Sequence, residues 1–311
     1  MKKALVYVFA LIAALLLVSC ELTGTAPEKG TLHVVAIGNN FEKVLEYSKY
    51  VYYDNVKYNL GEIPSCRDDA NAVCQVLEYW GKKSGMNLDI HNLSDGYYSS
   101  FESSLNIVKN NAGPNDLTVI FVSTHGGNDI ERCVNYSQAV SNNSFFVLEK
   151  SSSDLDCAYK KTSELMEYVN EIPGKVLILG DFCYSGSLIS QDNFTYNSAN
   201  YTDSGSLDLF FSNVPAKDSN KIFVLSSSAY YELSNTGDPL SRCTWYLLKS
   251  LGMNNYNKNT GKVSISPDTS VMKNGKIILS DIYSYVYRYT SRTQVPQMNT
   301  GANDLILFNL K

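Results

Sequence analysis

Short apolar runs alternate along this chain with stretches in which apolar residues recur every three or four positions. Thr31–Ile37 (TLHVVAI), Leu117–Val122 (LTVIFV), Lys175–Leu179 (KVLIL) and Ile222–Leu225 (IFVL) are runs of the first kind. They are too short for helices, rich in branched residues and closed by glycine or polar residues, so each predicts a buried strand. Leu88–His91 is a further strand candidate, and Leu305–Phe308 predicts a closing one. Helical spacing links Ala70, Val73, Leu77 and Trp80; then Phe101, Leu105 and Val108; then Leu165, Met166 and Val169. Trp245, Leu248 and Leu251 repeat it, and Ile282–Tyr289 forms the last such stretch. Ser65 stands where an N-cap belongs, with Asp68 at the capping-box position. Gly113-Pro114 and Pro173-Gly174 stop two of the helices. Residues 39–63, 189–219 and 252–274 lack either period and predict loops, and the polar, irregular residues 128–160 predict hairpins or loops.

Strands separated by helices imply a mostly parallel central sheet with helices on both faces, an α/β three-layer sandwich. Sites in such sheets form outside the carboxyl ends of strands. Two strand ends therefore draw attention: Ser123-Thr124-His125-Gly126-Gly127, and Asp181-Phe182-Cys183-Tyr184-Ser185-Gly186.

The N-terminus changes the picture. Lys2 and Lys3 precede an apolar run, Ala4–Val18, that is short for a membrane span. Leu17-Val18-Ser19-Cys20 closes it and resembles a bacterial lipobox. Residues 1–19 are then a lipoprotein signal peptide, and residues 20–30 the lipidated Cys20 plus a polar tether. Residues 31–311 are the folded domain. An ordinary signal peptide or an anchor helix is the alternative. The resemblance implies export and attachment to a membrane of the bacterial cell envelope through acyl chains on Cys20. The net charge of −5 and the absence of a long basic run give no support to a nucleic-acid partner. Of seven cysteines, Cys133 and Cys157 bracket a polar stretch and could pair in an oxidising compartment.

Side chains two apart on an extended chain point the same way, so Ser123 shares a face with His125, and Asp181 with Cys183. If the two strands are neighbours, imidazole and thiol meet above the sheet. A free thiol has a pKa of about 8.5 and is mostly protonated at neutral pH. An imidazole within reach can take its proton and later protonate a leaving amine. Of the three histidines, His33 and His91 lie in or at the end of strands without a glycine turn and read as structural.

THGG after one strand and LILGDFCYSG after another resemble the caspase-like cysteine peptidases, and among them the metacaspases and related bacterial enzymes. In outline the likeness runs from about residue 31 to 310; the two motifs are specific as a pair, and the rest is topological. It implies a caspase-like sandwich that acts on peptides or proteins, with Cys183 as nucleophile and His125 as acid/base. The amides of Gly126 and Cys183 would form an oxyanion hole. Cys66, Asp69, Ser123 and Asp181 match the positions that line the family's pocket for the residue before the cut. Two carboxylates in one pocket repel, and a guanidinium or ammonium relieves them, so cleavage after Arg or Lys is expected. Asp68 and Asp69 also suit simple capping of their helix.

The sequence departs from the family in places. Tyr184 follows the nucleophile where metacaspases often have His, and the Gln-Ala-Cys signature of caspases is absent. Calcium, which many metacaspases need, is left open: Asp154 and Asp156 lie in a suitable region without an evident full ligand set. Arg67 or Arg242 would serve a rival acidic preference. Lys160-Lys161 and Lys217 are basic sites where self-cleavage could occur. The alternatives to a peptidase are a non-catalytic surface lipoprotein on the same fold, and another thiol reaction such as transpeptidation.

Overall fold

The computed structural model describes residues 24–25, 30–128, 144–189, 221–299 and 304–310. Cys20, Cys133 and Lys217 lie outside these residues. Six strands make the central sheet: β1 (Thr31–Gly38), β2 (Asn87–Leu93), β3 (Leu117–Ser123), β4 (Lys175–Asp181), β5 (Ile222–Ser226) and β6 (Gln297–Met298). Their order is β6-β5-β4-β3-β1-β2, and all pairs are parallel except the edge pair β5–β6.

Alternation along each strand sorts its side chains to two faces. Leu32, Val34, Ala36, Leu117, Val119, Phe121, Leu177, Leu179, Phe223 and Leu225 pack on one side. There they meet helices α1 (Cys66–Lys83), α4 (Arg242–Ser250) and α5 (Leu279–Thr290). Val35, Ile37, Ile120, Val122, Val176, Ile178 and Val224 pack on the other side against α2 (Tyr98–Asn111) and α3 (Thr162–Val169). The three layers are those the sequence predicts.

Several local expectations need correction. Ser65 is the N-cap residue of α1, yet its side chain makes no capping bond; Asp68 instead accepts a hydrogen bond from the Tyr256 hydroxyl. The Tyr-rich loop holds a hairpin, Tyr50–Tyr53 with Val56–Asn59, turned by Asp54 and Asn55, both with positive φ. Within 252–274, Met253–Asn257 pairs with Lys262–Ile265, whereas 128–160 does hold a hairpin of the kind expected there, Phe145–Leu148 with Ala158–Lys161. The closing strand forms over Leu305–Asn309 but joins a separate small sheet with Lys276–Ile278. Gly24–Thr25, inside the expected tether, pairs with Leu305 and Ile306 of that strand.

Candidate active site

β3 and β4 are direct neighbours in register, and Asp181 lies opposite Ser123. The chain beyond each end stays tied: the Thr124 N–H donates to the Asp181 carbonyl at 3.3 Å. Gly126–Gly127 pairs with Phe145–Phe146, which fixes the segment carrying His125 against a second hairpin. An added Cβ at Gly126 would sit 2.1 Å from the Cys183 carbonyl oxygen, so only glycine lets the two strand extensions approach this closely. Tyr184 adopts a left-handed conformation (φ 65°) and turns the chain from β4 into the short helical turn Ser185–Leu188.

His125 and Cys183 line one cavity, together with Cys66, Ser123 and Asp181. Its volume is about 230 Å³, below the roughly 300–1,000 Å³ of pockets for whole small molecules, so it has the size of a side-chain site. The His125 Nε2 lies 2.7 Å from the Gly61 carbonyl oxygen. A carbonyl only accepts, so Nε2 carries the proton and the basic lone pair is on Nδ1. The Phe41 ring packs 4.9 Å from the imidazole. Burial pushes the imidazole pKa below 6.5 against the opposing effect of the Gly61 bond.

Cys183 is half-buried, whereas Cys66, Cys74, Cys157 and Cys243 are buried free thiols. Burial raises the Cys183 pKa above 9.0. The amide of Ser234 (3.4 Å from Sγ) and those of Gly126 and Cys183 itself oppose that rise, while the Asp181 charge adds to it. Burial pushes Cys74 and Cys157 up to about 12, leaving them poor nucleophiles.

Two carboxylates border the cavity, Asp181 in its lining and Asp69 behind it. Asp181 accepts hydrogen bonds from Ser234 Oγ (2.8 Å), Thr244 N (3.2 Å), Thr244 Oγ1 (2.6 Å) and Ser241 Oγ. Asp69 is fully buried and does not line the cavity; it accepts from Ser123 Oγ and from Ser241 N, both at 2.8 Å. Burial, and next the Asp181 charge, hold its carboxyl well above the ordinary carboxylate range. Among the described residues no Lys, Arg or His forms an ion pair with either carboxylate. Arg67 pairs with Glu42, and Arg242 reaches the Tyr289 carbonyl from a neighbouring cavity; neither lines the one that holds Cys183.

The wall opposite β3 comes from Ser234, Asn235 and Thr236. Tyr230, Tyr231 and Glu232, slightly earlier in the same segment, do not line it. Glu232 instead braces the turn, accepting from Ala229 N and Val295 N. Gln294, to which the sequence assigns no role, is fully buried and clamps the wall: it donates to the Ser227 carbonyl and accepts from Asn235 N. A buried glutamine between polar neighbours has no sequence signature, and neither does one serine in a serine-rich run.

Other candidates separate from the site. His33 is buried between Asp89 (2.8 Å) and Asp116 (3.3 Å), and His91 lies 3.2 Å from Asp89. Lys160 sits in a paired strand with its ammonium 2.9 Å from Glu102, so the Lys160-Lys161 bond is not displayed for cleavage. Calcium fits poorly at Asp154 and Asp156: the Asp156 carboxylate pairs with Lys150 at 2.6 Å, and Asp154 turns its backbone carbonyl, not its carboxylate, to Lys49. Among the described residues no group of three or more His, Cys, Asp or Glu side chains is set to hold a metal.

No protein-family model and no curated protein matches the chain. Solved structures do. Protein GSU0716 from Geobacter sulfurreducens aligns with a TM-score of 0.51 at 15% identity, over 87% of this chain and 94% of its own. Caspase-1 from Spodoptera frugiperda aligns at 0.47 and 11% identity, over 92% and 94%. The Drosophila initiator caspase Dronc aligns at 0.46 and 12%, over 93% and 88%. At 15% identity the likeness to GSU0716 concerns the fold alone.

Proposed function

We propose that this chain is a lipid-anchored cysteine endopeptidase that cuts after arginine or lysine. The observation that carries the reading is the cavity at the ends of β3 and β4, where the one half-buried free thiol among the described residues shares walls with an imidazole. Binding alone does not require both groups.

In this reading the substrate carbonyl enters beside Cys183. His125 Nδ1 takes the thiol proton as sulfur attacks, and the carbonyl oxygen becomes an anion facing the Gly126 and Cys183 amides. The imidazolium then protonates the departing amine, leaving a thioester on Cys183. Water attacks the thioester and gives its proton to His125, which passes it to the departing sulfur, releasing the acid and restoring the free thiol. The side chain before the cut occupies the cavity, with Asp181 as its charge partner through Ser234 and Ser241, and with Asp69 behind. A guanidinium suits this floor best, because it satisfies carboxylate and hydroxyl acceptors with a planar fork.

The experiment is hydrolysis of a reporter panel with basic, acidic and neutral residues before the cut, by the full chain and by Cys183→Ala. Turnover of the Arg and Lys reporters alone, lost in the folded variant, is the expected result. No turnover of any reporter sinks the enzymatic reading.

A further inference from the structure

The poor fit for calcium has a structural counterpart at Lys49. Its side chain is 1% exposed. Its ammonium meets the carbonyls of Ser151 (3.1 Å), Ser152 (3.2 Å) and Asp154 (2.8 Å), and Glu149 Oε2 at 3.1 Å. Carbonyl and carboxylate oxygens converging on one point are the ligand type a hard cation takes. Here a tethered ammonium stands at that point.

The pair reaches His125 by two routes. Glu149 Oε1 accepts the Phe41 N–H at 2.9 Å, and the Phe41 ring packs against the imidazole. The Lys49 carbonyl accepts the Leu60 N–H at 2.8 Å, one residue before Gly61, whose carbonyl holds Nε2. Glu149 also donates its own N–H to Asn39 Oδ1 (3.0 Å), just beyond the end of β1. Neither Lys49 nor Glu149 lines the catalytic cavity. A buried ion pair adds little net stability over an apolar pair of the same shape, so geometry is the better account of its presence.

We propose that Lys49 is the built-in cation of the 149–154 loop and, with Glu149, a positioning pair that fixes the His125 ring without a divalent ion. The kinetic part of this proposal rests on the peptidase reading; the structural part does not.

The test uses the full chain in detergent, with and without EDTA and added calcium. It compares wild type, Lys49→Met, and the double variant Lys49→Met/Glu149→Gln, which leaves no stranded charge. Two readouts are followed: the NMR signal of the His125 Nε2 proton, which the Gly61 bond slows in exchange, and kcat and KM on an Arg reporter. Wild type should be indifferent to EDTA and calcium in both. The variants should lose the Nε2 signal and about 100-fold in kcat, with KM nearly unchanged, as misplacement of a catalytic group by an ångström predicts. Wild type losing its signal or turnover in EDTA and regaining it with calcium overturns the proposal. So does a folded variant that keeps both. Should Lys49→Met fail to fold, the double variant decides. Should wild type hydrolyse no reporter, the peptidase reading fails alone and the Nε2 signal still decides the clamp.

Discussion

The half-buried Cys183 thiol and the half-buried His125 imidazole are both shifted toward their neutral forms. Partial burial raises one pKa and lowers the other, so the proposed dyad would work as a thiol and a base rather than as a standing ion pair. The sign of the pH dependence follows. With His125 as the proposed base, acid should abolish activity by protonating it, and because its pKa is depressed, the midpoint of the acid limb of kcat/KM should fall below pH 6.5. No loss from thiol titration should occur before pH 9.0, since the Cys183 pKa lies above that value. A pH–rate profile with its acid midpoint at or above 6.5 would contradict this. The carboxylates make a second prediction. Asp181→Asn should lower kcat/KM for Arg reporters by about 100-fold, the scale of about 2–5 kcal/mol for stranding one partner of a buried charge pair. Asp69→Asn should lose less, because Ser123 and Ser241 stand between it and the cavity. Equal losses on a neutral reporter would mean structural damage, not a lost charge partner. At this scale the sequence was partly legible: His125, Cys183, Ser123 and Asp181 stand at strand ends after clear apolar runs. Ser234 acts through its backbone amide on Cys183 and its hydroxyl on Asp181, and Gln294 through a buried side-chain amide, none of which composition marks.

Elements bring these residues together through close backbone approach. Gly126→Ala places a methyl on the Cys183 carbonyl and must displace the two amides proposed to face the oxyanion. Losing one such donor costs about 100- to 1,000-fold in kcat, so kcat should fall on that scale with circular dichroism unchanged. Gly38, at the end of β1, is a second such contact: an added Cβ would lie 1.8 Å from the Cys66 carbonyl at the start of α1. Gly38→Ala should destabilise the fold by about 1–3 kcal/mol, read by urea denaturation, as overpacking does. The long strands and helices were legible because each keeps its period for a full element. The Tyr50–Asn59 hairpin had a usable signal, Asp54-Asn55 between alternating residues, since both turn positions need positive φ. For Phe145–Leu148 the region reads as hairpin or loop but the strand itself is not marked: four apolar residues in a polar stretch fit a core loop as well as a strand.

At the scale of the whole molecule, two cores on opposite faces hold the sheet rigid, and the site lies at the ends of its central strands. Which strand neighbours which is decided by packing between distant segments, so the order β6-β5-β4-β3-β1-β2 was not in any local pattern. The pairing of Gly24–Thr25 with Leu305–Ile306 bears on the proposed anchor. If Cys20 is lipidated, only residues 21–23 separate it from this pairing, a reach of about 14 Å for extended chain. The domain would then be held at the membrane surface, not on a long leash. Wild type should partition into the detergent phase on cloud-point extraction, and Cys20→Ala into the aqueous phase; equal partitioning of the two would remove the anchor.

The most direct measurement is intact-mass analysis of the full chain after exposure to a peptidyl chloromethyl ketone ending in arginine, beside the same reagent ending in aspartate. The account predicts one adduct from the arginyl reagent, on Cys183, absent from Cys183→Ser and slowed in His125→Ala, with the aspartyl reagent inert. No adduct, an adduct on another cysteine, or equal reaction of the two reagents would contradict it.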